Sequence, residues 1–186
     1  MVVGSSNSGP MLYSARIDCR LNDPIINLWR RGCPVKEPMK EIKAPDRYSK
    51  RIFLAGSIES GAAEDWQKEV VLALARQDIL ILNPRRDDWD SRWKQSIRSR
   101  QFREQVEWEL DAQEAADIIF MYFAPDTYSP VSLLELGLFA RSRKLIVCCP
   151  DGFWRKGNVE VTCARFNIPL FDTLKEAIRH LKKRLT

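Results

Sequence analysis

The chain has 186 residues, enough for one domain with a core of its own and room for an extension. Five cysteines, Cys19, Cys33, Cys148, Cys149 and Cys163, show no C-x-x-C spacing and no grouping with the single histidine, so neither a disulfide framework nor a zinc site is expected and a cytoplasmic protein with reduced thiols is. The net charge of +5 belongs to the first 51 residues, with ten Lys/Arg against five Asp/Glu, while residues 52 to 186 balance at twenty of each; a neutral body argues against nucleic-acid binding, and no apolar run approaches the roughly 18 residues of a membrane helix.

Residues 1 to 10, MVVGSSNSGP, read as a flexible Gly/Ser-rich start without the basic-then-apolar order of a secretory signal. Up to residue 48 the periodicity is weak. DPIINLWRRG suggests one short helix, and Pro10, Pro24, Pro34 and Pro38 interrupt the remainder, so residues 1–48 form an extension expected to wrap the body or a partner subunit. The body, 49–186, opens with RIFLAG (51–56), a short apolar run closed by glycine, as a buried strand would be. AAEDWQKEVVLALARQ then sets Trp66, Val70, Ala73 and Leu74 on one helical face. DILIL (78–82) is a second strand, closed by Asn83-Pro84. A polar loop with Trp89 and Trp93 leads to a helix over about 97–115, and ADIIFMYF (116–123) is the third strand. A helix at 130–142, the strand KLIVCCP (144–150), a helical stretch near 157–166, a short strand at 169–171 and a last helix to Leu185 complete the chain. Strands alternating with helices, and apolar along their whole length, predict a doubly wound parallel α/β sheet covered on both faces.

In such a sheet ligands bind at the carboxyl ends of the strands, where strand order reverses. The segments to inspect are Gly56–Gly61, Asn83–Trp93, Ala124–Ser132 and Pro150–Asn158. AGSIESG is neither a G-x-G-x-x-G fingerprint nor a Walker A loop, so dinucleotide and NTPase chemistry are not expected. It reads either as a tight turn with Ser60 as a helix cap or as a backbone cradle in which Gly56 admits a ligand. Gln105, Trp108 and Glu109, at i, i+3 and i+4, share one helical face. His180, the single histidine, sits in a helix ending Lys182-Lys183-Arg184 and suits a cationic terminus. Any catalysis therefore falls to carboxylates. SPVSLLELG (129–137) offers one, Glu135, although Ser132 and Glu135 also fit the spacing of a capping box.

In chain order, IFLAGSI, NPRR, QVEWEL, ADIIFMYF and SPVSLLELG resemble the nucleoside 2-deoxyribosyltransferase family, in particular its broad "like" branch, over about residues 49–180. The resemblance implies that Glu135 of the ELG element is the nucleophile attacking the anomeric carbon, and that Glu109, eight residues before Asp117, helps protonate the departing base. A carboxylate suits this chemistry because it can trap an oxocarbenium-like centre as a glycosyl ester. There are departures from the family pattern. Phe53 replaces a tyrosine that orients the nucleophile in some members, leaving Tyr122 or Tyr128 as substitutes. Ser129 replaces an aspartate of the transferases, as in nucleotide-hydrolysing relatives. Glu59 stands where those relatives hold a phosphate-binding arginine, a role Arg85 and Arg86 could assume. Asn158 lies where members place a residue that reaches a neighbouring subunit's sugar.

The resulting expectation is a flavodoxin-like sheet of about five strands that forms a homo-oligomer, a homodimer at its simplest, and cleaves the N-glycosidic bond of a (deoxy)nucleoside or nucleotide, passing the sugar to another base or to water. Glu135 and Glu109 are the candidate catalytic residues, with Glu135 held ionised and Glu109 partly protonated. Phe53, Gly56, Ser57, Asn83, Arg85, Asp88, Trp108, Ser129, Ser132 and Asn158 are candidate substrate contacts. No cofactor, metal or membrane is implied. The rivals are a binding module of the same fold without turnover, and a nucleic-acid partner acting through the basic extension.

Overall fold

The computed structural model describes residues 50–58, 65–85 and 94–186. The readings made for the extension, for Glu59, Ser60 and Gly61, and for Arg86, Asp87, Asp88, Trp89, Asp90 and Trp93 lie outside the described residues.

Five strands and five helices alternate: β1 (Lys50–Gly56), α1 (Trp66–Ala73), β2 (Ile79–Leu82), α2 (Arg100–Ala115), β3 (Ile118–Tyr122), α3 (Pro130–Phe139), β4 (Leu145–Cys148), α4 (Lys156–Phe166), β5 (Leu170–Phe171) and α5 (Leu174–Leu185). The strands pair in the order β2-β1-β3-β4-β5, all parallel. This is the expected flavodoxin-like arrangement. Each helix lies within the span read from the sequence or one residue outside it; the ends trim where caps intervene. Asp65 caps α1 by accepting from the Lys68 amide at 3.2 Å, so that helix starts later than its apolar face suggests.

Right-handed crossovers decide which helix covers which face. Passing from β1 to β2 the chain moves one way across the sheet, and from β2 through β3, β4 and β5 it moves the other, so α1 lies on one face and α2, α3 and α4 on the other. The two cores record this division. Phe53, Ala55, Leu80, Leu82, Ile119, Met121, Phe123 and Val147 pack with Trp108 and Ala112 of α2, Leu136 and Phe139 of α3, and Val159 and Cys163 of α4. Their alternating neighbours, among them Ile52, Leu54, Ile81, Phe120 and Ile146, pack with Trp66 and Val70 of α1 and with Ala177 and Leu181 of α5. Asp117 ties the foot of β3 to β1, its carboxylate accepting from the Arg51 amide at 2.7 Å and its own amide donating to the Arg51 carbonyl at 2.9 Å. Strand order reverses between β1 and β3, and their carboxyl ends open the crevice in which α/β sheets bind ligands.

Candidate active site

β1 ends at Gly56, whose φ of +134° favours glycine. A Cβ there would lie 2.1 Å from the Tyr122 carbonyl oxygen. The glycine thus serves a close approach between β1 and β3. Beyond it, Ser57 donates its amide to the Tyr122 carbonyl at 2.8 Å, and its carbonyl accepts from Trp66 Nε1 at 2.8 Å. The Ser57 hydroxyl, fully buried, accepts from the Ala124 amide at 2.9 Å and lies 2.6 Å from Ser129 Oγ and 2.9 Å from Thr127 Oγ1. Thr127 and Ser129 are themselves 3.1 Å apart, and Thr127 donates to the Ala124 carbonyl at 2.8 Å. Three hydroxyls in a ring fasten the loop after β3 to the end of β1. That loop holds Asp126 and Ser129 in the left-handed region, at φ 57° and 42°.

Ser129 is the N-cap of α3, and Pro130 takes the first helical position, where its missing N–H costs nothing. Ser132 therefore falls at the third helical position and Glu135 six residues past the cap, so the capping box does not form. Its side chain is 9% exposed and accepts a hydrogen bond from Gln113 Nε2 of α2 at 2.6 Å. Burial lifts the Glu135 carboxyl to about 7; the Gln113 bond opposes that rise, and the negative charge of Glu109 adds to it. This corrects the expectation that the α3 N-terminus would hold Glu135 ionised, because a carboxylate six residues in is beyond the first turn, where that field acts.

α2 supplies the rest of the pair. Gln105, Trp108 and Glu109 do share a face, and it points inward: Gln105 and Trp108 are buried, Glu109 is half-buried, and Gln105 Nε2 donates to Glu109 Oε1 at 2.7 Å. Trp108 is spent on the core, its ring centroid 6.3 Å from that of Phe53. Tyr122 cannot supply the hydroxyl that Phe53 lacks, since it stacks on Trp66 at 5.4 Å across the other face of the sheet. Tyr128 is exposed and meets Trp154 edge-on at 5.4 Å.

Other candidates are placed elsewhere. At the end of β2, Asn83 Oδ1 accepts from the Arg85 amide at 3.1 Å, while the Arg85 guanidinium donates to Gln67 Oε1 at 3.3 Å and lies 3.8 Å from Asp65. That guanidinium is engaged at the start of α1. Asn158 is exposed on α4 beside a groove of about 500 Å3 lined by Leu133, Leu136, Gly137, Trp154, Arg155 and Thr162. Neither Glu135 nor Glu109 lines this groove; the two carboxylates lie instead where α2 meets α3, with Glu135 buried and bonded to Gln113. The sequence reading missed Gln113 and Thr127. Gln113 was within reach, since it continues the Gln105–Glu109 stripe by one more turn. Among the described residues no three His, Cys, Asp or Glu side chains gather as a metal site would require, and no helix is long and apolar enough to cross a membrane.

The comparisons with known proteins bear on the fold and the family. No curated protein matches the chain. A crystal structure titled as a conserved protein from Enterococcus faecalis V583 is similar in fold, with a TM-score of 0.54 at 12% identity over 73% of this chain and 99% of that one. The family described as nucleoside 2-deoxyribosyltransferase like matches residues 49–153, from the start of β1 through β4, a span that includes Glu109, Gln113 and Glu135. Because that match takes in more than half of the chain, the protein belongs to the nucleoside 2-deoxyribosyltransferase-like family.

Proposed function

We propose that the protein cleaves the N-glycosidic bond of a nucleoside or nucleotide through Glu135. The supporting observation is the Glu135 carboxylate itself, buried on α3 among apolar residues, bonded to one amide and influenced by a second carboxylate. In the first step a Glu135 oxygen bonds to the anomeric carbon as the bond from that carbon to the base nitrogen breaks. The bonding pair leaves with the base, and Glu109 delivers the proton that neutralises it. A glycosyl ester remains on Glu135. Attack by a second base, or by water, on the same carbon then releases the sugar and returns the carboxylate. The ionised form is the nucleophile, so turnover should rise with pH through about 7.

The exposed apolar stripe of α3, Val131, Leu134 and Leu138, supports a homo-oligomer. A second reading, a nucleotide-binding module without turnover, draws on the commitment of Ser129 to the hydroxyl ring and of Arg85 to α1. One assay separates the two: the purified full chain is incubated with nucleosides and nucleoside monophosphates, with and without a second free base, and released base is measured by chromatography. Base release supports the enzyme, and exchange only when a second base is present marks a transferase. Binding with no release across the panel leaves the module.

A further inference from the structure

Glu135 has one hydrogen-bond donor among the described residues, Gln113 Nε2 at 2.6 Å. The donor comes from another helix, 22 residues away in sequence, and its side chain is fully buried. Gln113 Oε1, the other half of that amide, is sealed from solvent with no partner. An apolar side chain of the same size would avoid this cost, since replacing a half-satisfied buried amide is close to neutral or favourable for folding. What the buried amide does in this structure is donate from its nitrogen to Glu135. The second Glu135 oxygen has no partner among the described residues and is not sealed, so the bond fixes one oxygen and leaves its twin unengaged. Phe53, on the neighbouring strand, has no donor to offer.

We propose that Gln113 is a positioning residue: its amide clamps Glu135 Oε1 so that Oε2 is presented to the anomeric carbon. The catalytic consequence rests on the reading of Glu135 as nucleophile; the clamp itself does not. A donor to a carboxylate also favours its ionised form, so losing the clamp moves the Glu135 titration upward. Of the groups on the surrounding elements, Glu109 of α2 is the charge that acts on Glu135. The inward side chains of β1, β3 and β4, such as Phe53, Met121 and Val147, carry none, and the Cys149 thiol, pushed up to about 12 by burial, stays neutral. Arg155 of α4 lies at the separate groove.

The test uses Gln113→Met, which keeps the length of the side chain and removes the donor, with Gln113→Leu as a second variant should the first fold poorly. Glu135 is followed by carbon NMR of side-chain-labelled glutamate, assigned by its loss in Glu135→Gln. The expected result is an upward move of its midpoint by about one pH unit. With whichever nucleoside or nucleoside monophosphate the wild type cleaves, kcat at neutral pH should fall about tenfold or more while KM stays within roughly twofold, as for an interaction made at the reacting group. A midpoint unchanged in both variants overturns the proposal whatever the activity does, and so does a loss confined to KM. If the midpoint moves but the wild type releases no base from any substrate, the clamp stands and the glycosidic reading fails.

Discussion

At Glu135 burial and the Glu109 charge push the carboxyl up while the Gln113 hydrogen bond opposes them, and the balance sets two measurable consequences. The folded-state carboxyl sits at about 7, above its value in the unfolded chain, so its contribution to stability is fully present below the unfolded value and is lost as pH rises through about 7. Glu135→Gln removes the ionisation and keeps an oxygen that can accept from Gln113. It should therefore raise stability above pH 7, by at most on the order of 3 kcal/mol, leave it nearly unchanged in acid, and abolish base release by orders of magnitude. Thermal melts at pH 5 and pH 8 check the first part: equal shifts at the two pH values would mean that Glu135 is not the group that titrates. Glu109 is tested through the leaving group. In Glu109→Ala the loss should be large for natural bases and small for a leaving group that needs no proton; equal losses would leave Glu109 only a role in holding the substrate. The candidacy of Glu135 was legible from the ELG element and its place after the third strand. Its environment was not legible, because the capping spacing of Ser132 and Glu135 is satisfied in sequence whether the helix starts at Ser129 or Ser132, and only the backbone decides. The partnership with Gln113 joins two helices across 22 residues and leaves no local pattern.

Among the elements, the loop after β3 is fastened to the end of β1 by hydrogen bonds through Ser57. Ser57 terminates β1 with four hydrogen bonds to the β3 end and its loop, through its amide to Tyr122 and its hydroxyl to Ala124, Thr127 and Ser129. Ser57→Ala leaves the Ala124 amide without its acceptor and breaks the ring in a buried setting, and should cost about 1–3 kcal/mol. The same change should release Ser129 from its left-handed conformation and shift the start of α3, so base release should fall together with the melting temperature. An unchanged melting temperature would show that the ring contributes little. The order and type of the described elements followed from apolar periodicity, since β2, β3 and β4 are buried along their whole length and helices such as α1 and α5 set their apolar residues on one buried side. The ring did not, because Ser57, Thr127 and Ser129 are small polar residues with no spacing that distinguishes them from an ordinary turn.

Across the whole molecule, one asymmetry of the sheet organises the rest. Three helices cover the face that holds Glu135 and two cover the other, and α3 is the middle helix of the three. A middle helix buries one side on the sheet and its flanks on its neighbours, so its outer stripe should be polar in a monomer. In α3 that stripe is Val131, Leu134 and Leu138, at i, i+3 and i+7, with 60%, 71% and 61% of their surfaces exposed. Val161 on the adjacent α4 is 71% exposed, and Trp154 beside the groove is also open. Scattered exposed apolar residues are ordinary, but several aligned on neighbouring helices suit the proposed self-association. We propose a second copy of the chain as the occupant, related by a two-fold axis that sets α3 against its equivalent. Light scattering at working concentration should then give a mass of about twice 21.6 kDa. Replacing both Leu134 and Leu138 by glutamate places like charges across the axis and should return the mass to one chain, with the melting temperature becoming independent of concentration. Were the wild type to run as a single chain of 21.6 kDa, the stripe would belong to a different partner, and the double replacement would leave the mass unchanged.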